Sequence, residues 1–117
     1  MVIKKDSDVP EESMKEEGVK DVFQRVLIGT KDGSSNIIMR CIKILPGGNT
    51  PFHSHNHEHL VKIEGGKGIV VDDNGKENIV TQGQSLFIEG LKKHQFKNLF
   101  ENVFEFICII PNPEKIP

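Results

Sequence analysis

Gly47-Gly48-Asn49-Thr50-Pro51-Phe52-His53-Ser54-His55-Asn56-His57-Glu58-His59 carries four of the chain's five histidines at alternate positions, and the fifth, His94, stands alone further along. Neutral imidazole is a good transition-metal ligand near neutral pH, so this run reads first as a metal site. On an extended strand, residues i and i+2 share a face about 6.6 Å apart, which lets His53 and His55 lean toward one ion. On either side of the run, short segments rich in Val, Ile and Phe are broken by turn residues: Lys31-Asp32-Gly33-Ser34-Ser35, Pro46-Gly47-Gly48-Asn49, Gly65-Gly66, Asp72-Asp73-Asn74-Gly75, Gln82-Gly83, Gly90 and Glu101-Asn102. Breaks roughly every eight to twelve residues are the pattern of an all-β sandwich or barrel.

The clearest hairpin joins Gly68–Val71 to Glu77–Val80 through Asp72-Asp73-Asn74-Gly75, because Asn-Gly readily adopts the positive φ angles of tight turns. Further strands are expected at Val22–Ile28, Asn36–Leu45, Leu60–Glu64, Ser85–Ile88, His94–Asn98 and Val103–Ile110, and no segment offers a convincing ten-residue helix. Pro46-Gly47-Gly48 and Gly65-Gly66 read as turns. Residues 1–20 read as an N-terminal strand or arm outside the core: from Ser7 to Lys20 they are mostly polar and acidic, with room for one short helical turn. Residues 21–111 form the domain, and Pro111-Asn112-Pro113 ends strand pairing and begins a tail, 112–117.

At 117 residues the chain makes about one domain with one modest core. Fifteen basic side chains against seventeen acidic ones leave a net charge of -2, so no single-sign field exists to hold nucleic acid or an anionic membrane. No apolar run approaches the ~18 residues of a membrane span and the first residues lack a secretion-signal h-region, so a soluble cytoplasmic protein is expected. Cys41 and Cys108, far apart, are expected as free thiols, and with Trp and Tyr absent the seven Phe carry the aromatic packing. Without a Gly-rich phosphate loop, a nucleophile elbow or a Cys-x-x-Cys pair, phosphoryl transfer and triad hydrolysis have no support.

Pro46 to Asn98 resembles the two signature motifs of the cupin superfamily. The first asks for Gly, five residues, His-x-His, three or four residues, Glu, six residues and Gly; Gly47, His53, His55 and Gly66 match, and His59 stands in place of the Glu. The second asks for Gly, five residues, Pro-x-Gly, two residues, His, three residues and Asn; Gly83, His94 and Asn98 match, while Glu89 and Leu91 replace the Pro and the Gly. A subgroup of small single-domain cupins, the manganese-binding type, is similar in using four histidines. That likeness runs from about Gly18 to Pro111 and includes Arg25-Val26-Leu27-Ile28-Gly29, Met39-Arg40 and Glu105-Phe106.

The resemblance implies a single-domain jelly-roll β-barrel, a double-stranded β-helix, with one divalent metal per chain held by His53, His55, His59 and His94. Four nitrogens suggest an octahedral ion with two adjacent positions open. Ligand softness favours iron, nickel, copper or zinc, whereas the resemblance implies manganese; manganese or iron is placed first, with nickel, zinc or copper behind. His57 is expected in the bend between two strands, facing solvent or behind the ligands. Strand parity puts Phe106 and Cys108 on the inner face, with Glu105 outside. There Cys108 is either pocket wall or a small core hydrophobe. Arg40 shares a face with Ile38, Ile42 and Ile44, where it would hold a carboxylate or enolate by paired hydrogen bonds or form an ion pair, for instance with Glu89.

The leading expectation is a metal-dependent oxidoreductase of dioxygenase type acting on a small organic substrate. Two alternatives stand: a ligand-binding module without turnover, and a metal-assisted isomerase or decarboxylase using Glu89 or His57 as acid or base. Small single-domain cupins commonly form two-fold dimers, so a homodimer engaging the N-terminal strand is expected.

Overall fold

Alternation shapes the chain: in β9 (Phe104–Pro111) Phe104, Phe106, Cys108 and Ile110 are buried and the residues between them are half-buried. In β4 (His59–Gly65) His59, Val61 and Ile63 are buried while Leu60, Lys62 and Glu64 face outward. A computed structural model describes residues 1–115. Its other strands are β1 (Glu12–Ser13), β2 (Lys20–Ile28), β3 (Ile37–Asn49), β5 (Lys67–Val71), β6 (Glu77–Thr81), β7 (Ser85–Ile88) and β8 (Gln95–Lys97). All pairings are antiparallel, in the order β6-β5-β8-β3-β9-β4-β7, with β2 along the other edge of β3 and β1 on β2. The fold is the expected all-β single domain, a curled barrel around one core.

β3 is longer than its sequence suggests. The Pro46-Gly47-Gly48 turn does not form; Gly47 takes φ +86 inside the strand, which bends there. Before the bend, Ile37 to Ile44 pair with β9; after it, Asn49 pairs with Lys97 of β8. The bend is held because Gly47 N–H donates to Asn98 O at 2.7 Å and Asn98 N–H donates to Gly48 O at 3.0 Å. Pro111, expected to stop pairing, is instead the last residue of β9, opposite Ile37. That is tolerated because a strand's terminal position need not donate.

The N-terminal arm also departs from expectation: it lies on the barrel. Glu12 and Ser13 pair with β2, Val9 is buried, and Met14 packs against the core. Arg25 Nε donates to Val9 O at 3.1 Å, and Lys4 pairs with Asp32 at 2.9 Å. The expected helical turn is a 3-10 turn at Asp6–Asp8. Of the tail, Pro113–Lys115 form another such turn, and residues 116 and 117 lie outside the described ones.

Inside the barrel Phe96 stacks on Phe106 with centroids 4.4 Å apart, and Phe104 tilts against Phe106 at 5.2 Å. Gly68 is required here, since a Cβ would sit 2.2 Å from the Phe104 ring. Asn98, fully buried, ties the floor together: its amide donates to Ile44 O at 2.9 Å and Asn102 O at 2.8 Å, and its oxygen accepts from Phe100 N–H at 2.9 Å. Truncating it strands the buried Ile44 carbonyl, at about 1–3 kcal/mol, and two part-buried backbone groups at less. Asn98→Ala is therefore expected to lower stability by about 3 kcal/mol in urea unfolding. A change within error of zero would remove Asn98 from this role.

Candidate metal centre

The histidine run lies between the end of β3 and the start of β4, and backbone pairing draws it to the loop before β8. His53 N–H donates to His94 O at 3.2 Å and His94 N–H to His53 O at 2.9 Å, an isolated antiparallel bridge. Leu91 N–H donates to His55 O at 2.6 Å, and to do so Leu91 adopts φ +67. This is the position where the second motif carries Gly, and a left-handed non-glycine residue carries strain. His59, the first residue of β4, is placed by its register with Ile88.

These connections converge the imidazoles. One ring nitrogen from each of His53, His55 and His94 falls within 4.8 Å of the other two. His59 stands outside that trio, but its ring centroid lies 4.9 Å from that of His94 and 5.3 Å from that of His55. His57 stacks on His55 at 4.9 Å and does not line the cavity in front of the trio.

Burial, then the neighbouring imidazoles, lower the pKa of His55 to about 4 and of His59 to about 3; His94 is lowered chiefly by burial. Near neutral pH these rings keep their lone pairs. His94 Nδ1 lies 3.0 Å from Lys92 O. A carbonyl only accepts, so the proton sits on Nδ1 and Nε2 is left free to ligate. His59 Nδ1 is buried without a hydrogen-bond partner among the described residues. A buried polar atom with no partner, among neutral nitrogens at ligand spacing, fits a bound divalent cation of imidazole-preferring type.

The cavity in front of the rings encloses about 100 Å³. Ile42, Phe96, Phe106 and Cys108 give it an apolar wall, so the inward parity of Phe106 and Cys108 holds in the fold. Arg40 also faces it, and its Nη2 donates to Cys108 Sγ at 3.4 Å. Burial raises the Cys108 pKa, and the Arg40 guanidinium offsets part of that rise. No ion pair forms between Arg40 and Glu89 among the described residues; exposed Glu89 lines a separate hollow with Lys92 and Lys93. His94 borders that hollow as well, but Glu89 does not line the cavity in front of the rings, which removes it as an acid there.

Met14, Glu16, Thr50 and Pro51 complete the cavity and were not singled out by sequence. Met14, one of the few apolar residues in a polar segment, was the available signal.

Residues 41–110 match the Cupin domain family. None of the curated proteins matches. Among solved structures, the polyketide cyclase RemF from Streptomyces resistomycificus is 28% identical with a TM-score of 0.90, over 95% of this chain and 79% of that one. A predicted oxalate decarboxylase from Thermotoga maritima is 22% identical with a TM-score of 0.83, over 94% of this chain and 98% of that one. A sugar phosphate isomerase from Silicibacter pomeroyi is 18% identical with a TM-score of 0.78, over 94% and 76%. The last two support the fold alone.

Calorimetric manganese titration at about pH 7.5 tests the donor set: His59→Ala and His94→Ala should each weaken binding about 100-fold or more, and His57→Ala less than about tenfold. Wild-type affinity in both ligand variants would reject it. The metal-free protein has a definite pH sign. His55 and His59 are neutral when folded but protonate when unfolded below their ordinary value near 6.5, so stability is complete above that value and falls as pH drops toward about 4 and 3. Urea midpoints measured between about pH 7 and 4 should fall in the metal-free protein, and less steeply in His55→Ala.

Proposed function

The chain belongs to the Cupin domain family, and on that premise we propose that it is a cytoplasmic metal-dependent enzyme acting on a small organic substrate in the barrel cavity. One divalent transition-metal ion per chain, manganese or iron before nickel, zinc or copper, is held by His53, His55, His59 and His94. The supporting observation is the convergence of imidazole nitrogens on a cavity with an apolar wall. When bound, the ion would supply Lewis acidity and open coordination positions. Arg40 orients an anionic group of the substrate by charge-assisted hydrogen bonds, and Phe96, Phe106 and Ile42 keep water away from it.

Within this class we favour an oxidoreductase of dioxygenase type. An isomerase or decarboxylase needs a side chain that moves protons inside the cavity. Among the described residues the only carboxylate lining it is exposed Glu16 from the arm, and the lining imidazoles are assigned as ligands. A second reading, non-oxidative ring closure or enolisation of a carbonyl compound, draws on the 28% identity to the polyketide cyclase RemF. A module that binds without turnover is the third.

Oxygen uptake by manganese- or iron-loaded protein over a panel of enolisable and aromatic acids separates the three. Uptake matched to substrate loss is expected, and Arg40→Met should raise KM about tenfold or more for acids with less change in kcat. Equal turnover under nitrogen would replace oxidation with the second reading. Tight binding with no turnover would leave the third.

We also propose a two-fold homodimer. On the outer face Phe87, Leu60, Ile109, Met39 and Ile28 lie in register across five strands, with Leu60 and Phe87 more than half exposed. Light scattering should give twice the chain mass, and Leu60→Glu should return the monomer; a monomeric wild type would reject the dimer.

A further inference from the structure

A second and larger cavity, about 510 Å³, lies between the barrel and the N-terminal arm. Val26, Ile38 and Ile110 of the barrel and Val9 and Pro10 of the arm give it an apolar part. Charged side chains of Lys4, Asp8, Glu12, Lys31 and Asp32 also line it. Arg40 lines this cavity as well as the one at the histidines.

The register makes the relation explicit. Three cross-strand pairs of β3 and β9 follow one another along the same face: Ile42 with Phe106, Arg40 with Cys108, and Ile38 with Ile110. The first pair lines the metal cavity, the third contributes to the larger cavity, and the Arg40–Cys108 pair stands between them. Four residue steps along the strand separate the outer pairs, about 13 Å.

The divider is weakly closed. A thiol is a poor acceptor, and Cys108 Sγ is the one hydrogen-bond partner of the Arg40 guanidinium among the described residues. Arg40 Nε is buried without a partner, and so is Oε1 of Gln24, which lines the larger cavity. Val26 is opposite Arg40 and Gln24 opposite Ile42 across the β2–β3 pair, so these two unmet polar atoms are diagonal neighbours on one face. No carboxylate is paired with Arg40 among the described residues. A guanidinium in that state exchanges a thiol contact for a carboxylate with gain.

We propose that the two cavities are one bipartite binding site for an elongated oxo-acid: its oxygen-bearing head lies at the histidines, its carboxylate or enolate oxygen takes Arg40 from Cys108, and its apolar tail fills the chamber beneath the arm. This rests on the proposed metal-dependent function for the head group, and adds to it the substrate class, a β-oxo acid with a chain long enough to cross the divider. Apolar burial of the tail against Val26, Ile38 and Ile110 would supply affinity that a short acid with the same head lacks.

Calorimetry with 3-oxododecanoate and acetoacetate, which share a head and differ in tail, tests this in both manganese-loaded and metal-free protein. The long acid should bind at least about tenfold more tightly than the short one in both forms, since Arg40 and the chamber need no metal. Ile38→Trp, and independently Val26→Trp at the 41%-exposed rim should the first variant fail to fold, should bring the ratio to within about threefold. Manganese and acetoacetate affinity should stay at wild-type values in both. Equal binding of the two acids by wild type, or a ratio untouched by both substitutions, would overturn the bipartite site. Manganese binding with no tail preference leaves the metal-dependent function standing and removes this inference. A tail preference without manganese binding does the reverse.

Discussion

The bend of β3 at Gly47 is the constraint on which the rest of the molecule depends. One strand cannot serve two walls of a barrel unless it turns between them, and β3 passes from β9 to β8 at this point. The turn is secured from the adjacent strand by the backbone of Asn98, just past β8, whose side chain holds Ile44 and Asn102 in turn. Because β3 leaves the bend toward β8, residues 50–58 emerge beside the loop that carries His94. The His53–His94 bridge is then a short-range event. A cluster of imidazoles assembled from residues distant in sequence follows from a single backbone deformation.

Convergence of imidazoles has an energetic consequence. Several rings held within ligand distance and shielded from water cannot all carry protons, and the lowered pKa values of His55 and His59 express that. The same desolvation that disfavours protons leaves a ring nitrogen without a partner among the described residues, as at His59 Nδ1. A cation resolves both conditions at once, which is why such a cluster reads as a binding site rather than as core. Leu91 fits the same pattern: a left-handed leucine is tolerated where its N–H anchors His55 O.

Much of this was legible in the sequence because the signals were local. Alternation in Val103–Ile110 placed Phe106 and Cys108 inside, and the Asn74-Gly75 turn placed the β5–β6 hairpin. What failed was non-local. Pro46-Gly47-Gly48 has the composition of a turn, and only the partner at Asn98 makes it a bent strand. The acidic arm has too few apolar residues to register as core, yet Val9 and Met14 suffice when a barrel wall is already waiting for them. The Arg40–Glu89 pairing was plausible by charge and failed by topology, since Glu89 lies among lysines in a separate hollow.

Under the proposed four-histidine donor set, His59 in place of the motif's glutamate would alter the charge of the centre as well as its donor atoms. A site with a carboxylate ligand carries one negative charge toward the ion, whereas four neutral nitrogens would leave a divalent cation's charge undiminished, and Arg40 adds another positive charge nearby. The Arg40 field is already felt by His55, His57 and His59. Among the described residues only exposed Glu16 offers a carboxylate to the cavity. Two positive centres on an apolar wall disfavour each other unless an anion lies between them, and attraction in such surroundings is stronger than in water. On the proposed donor set, the all-nitrogen centre and a guanidinium without a carboxylate partner among the described residues would be one design: the missing negative charge would be left for the ligand to bring, and a neutral ligand would leave both centres uncompensated.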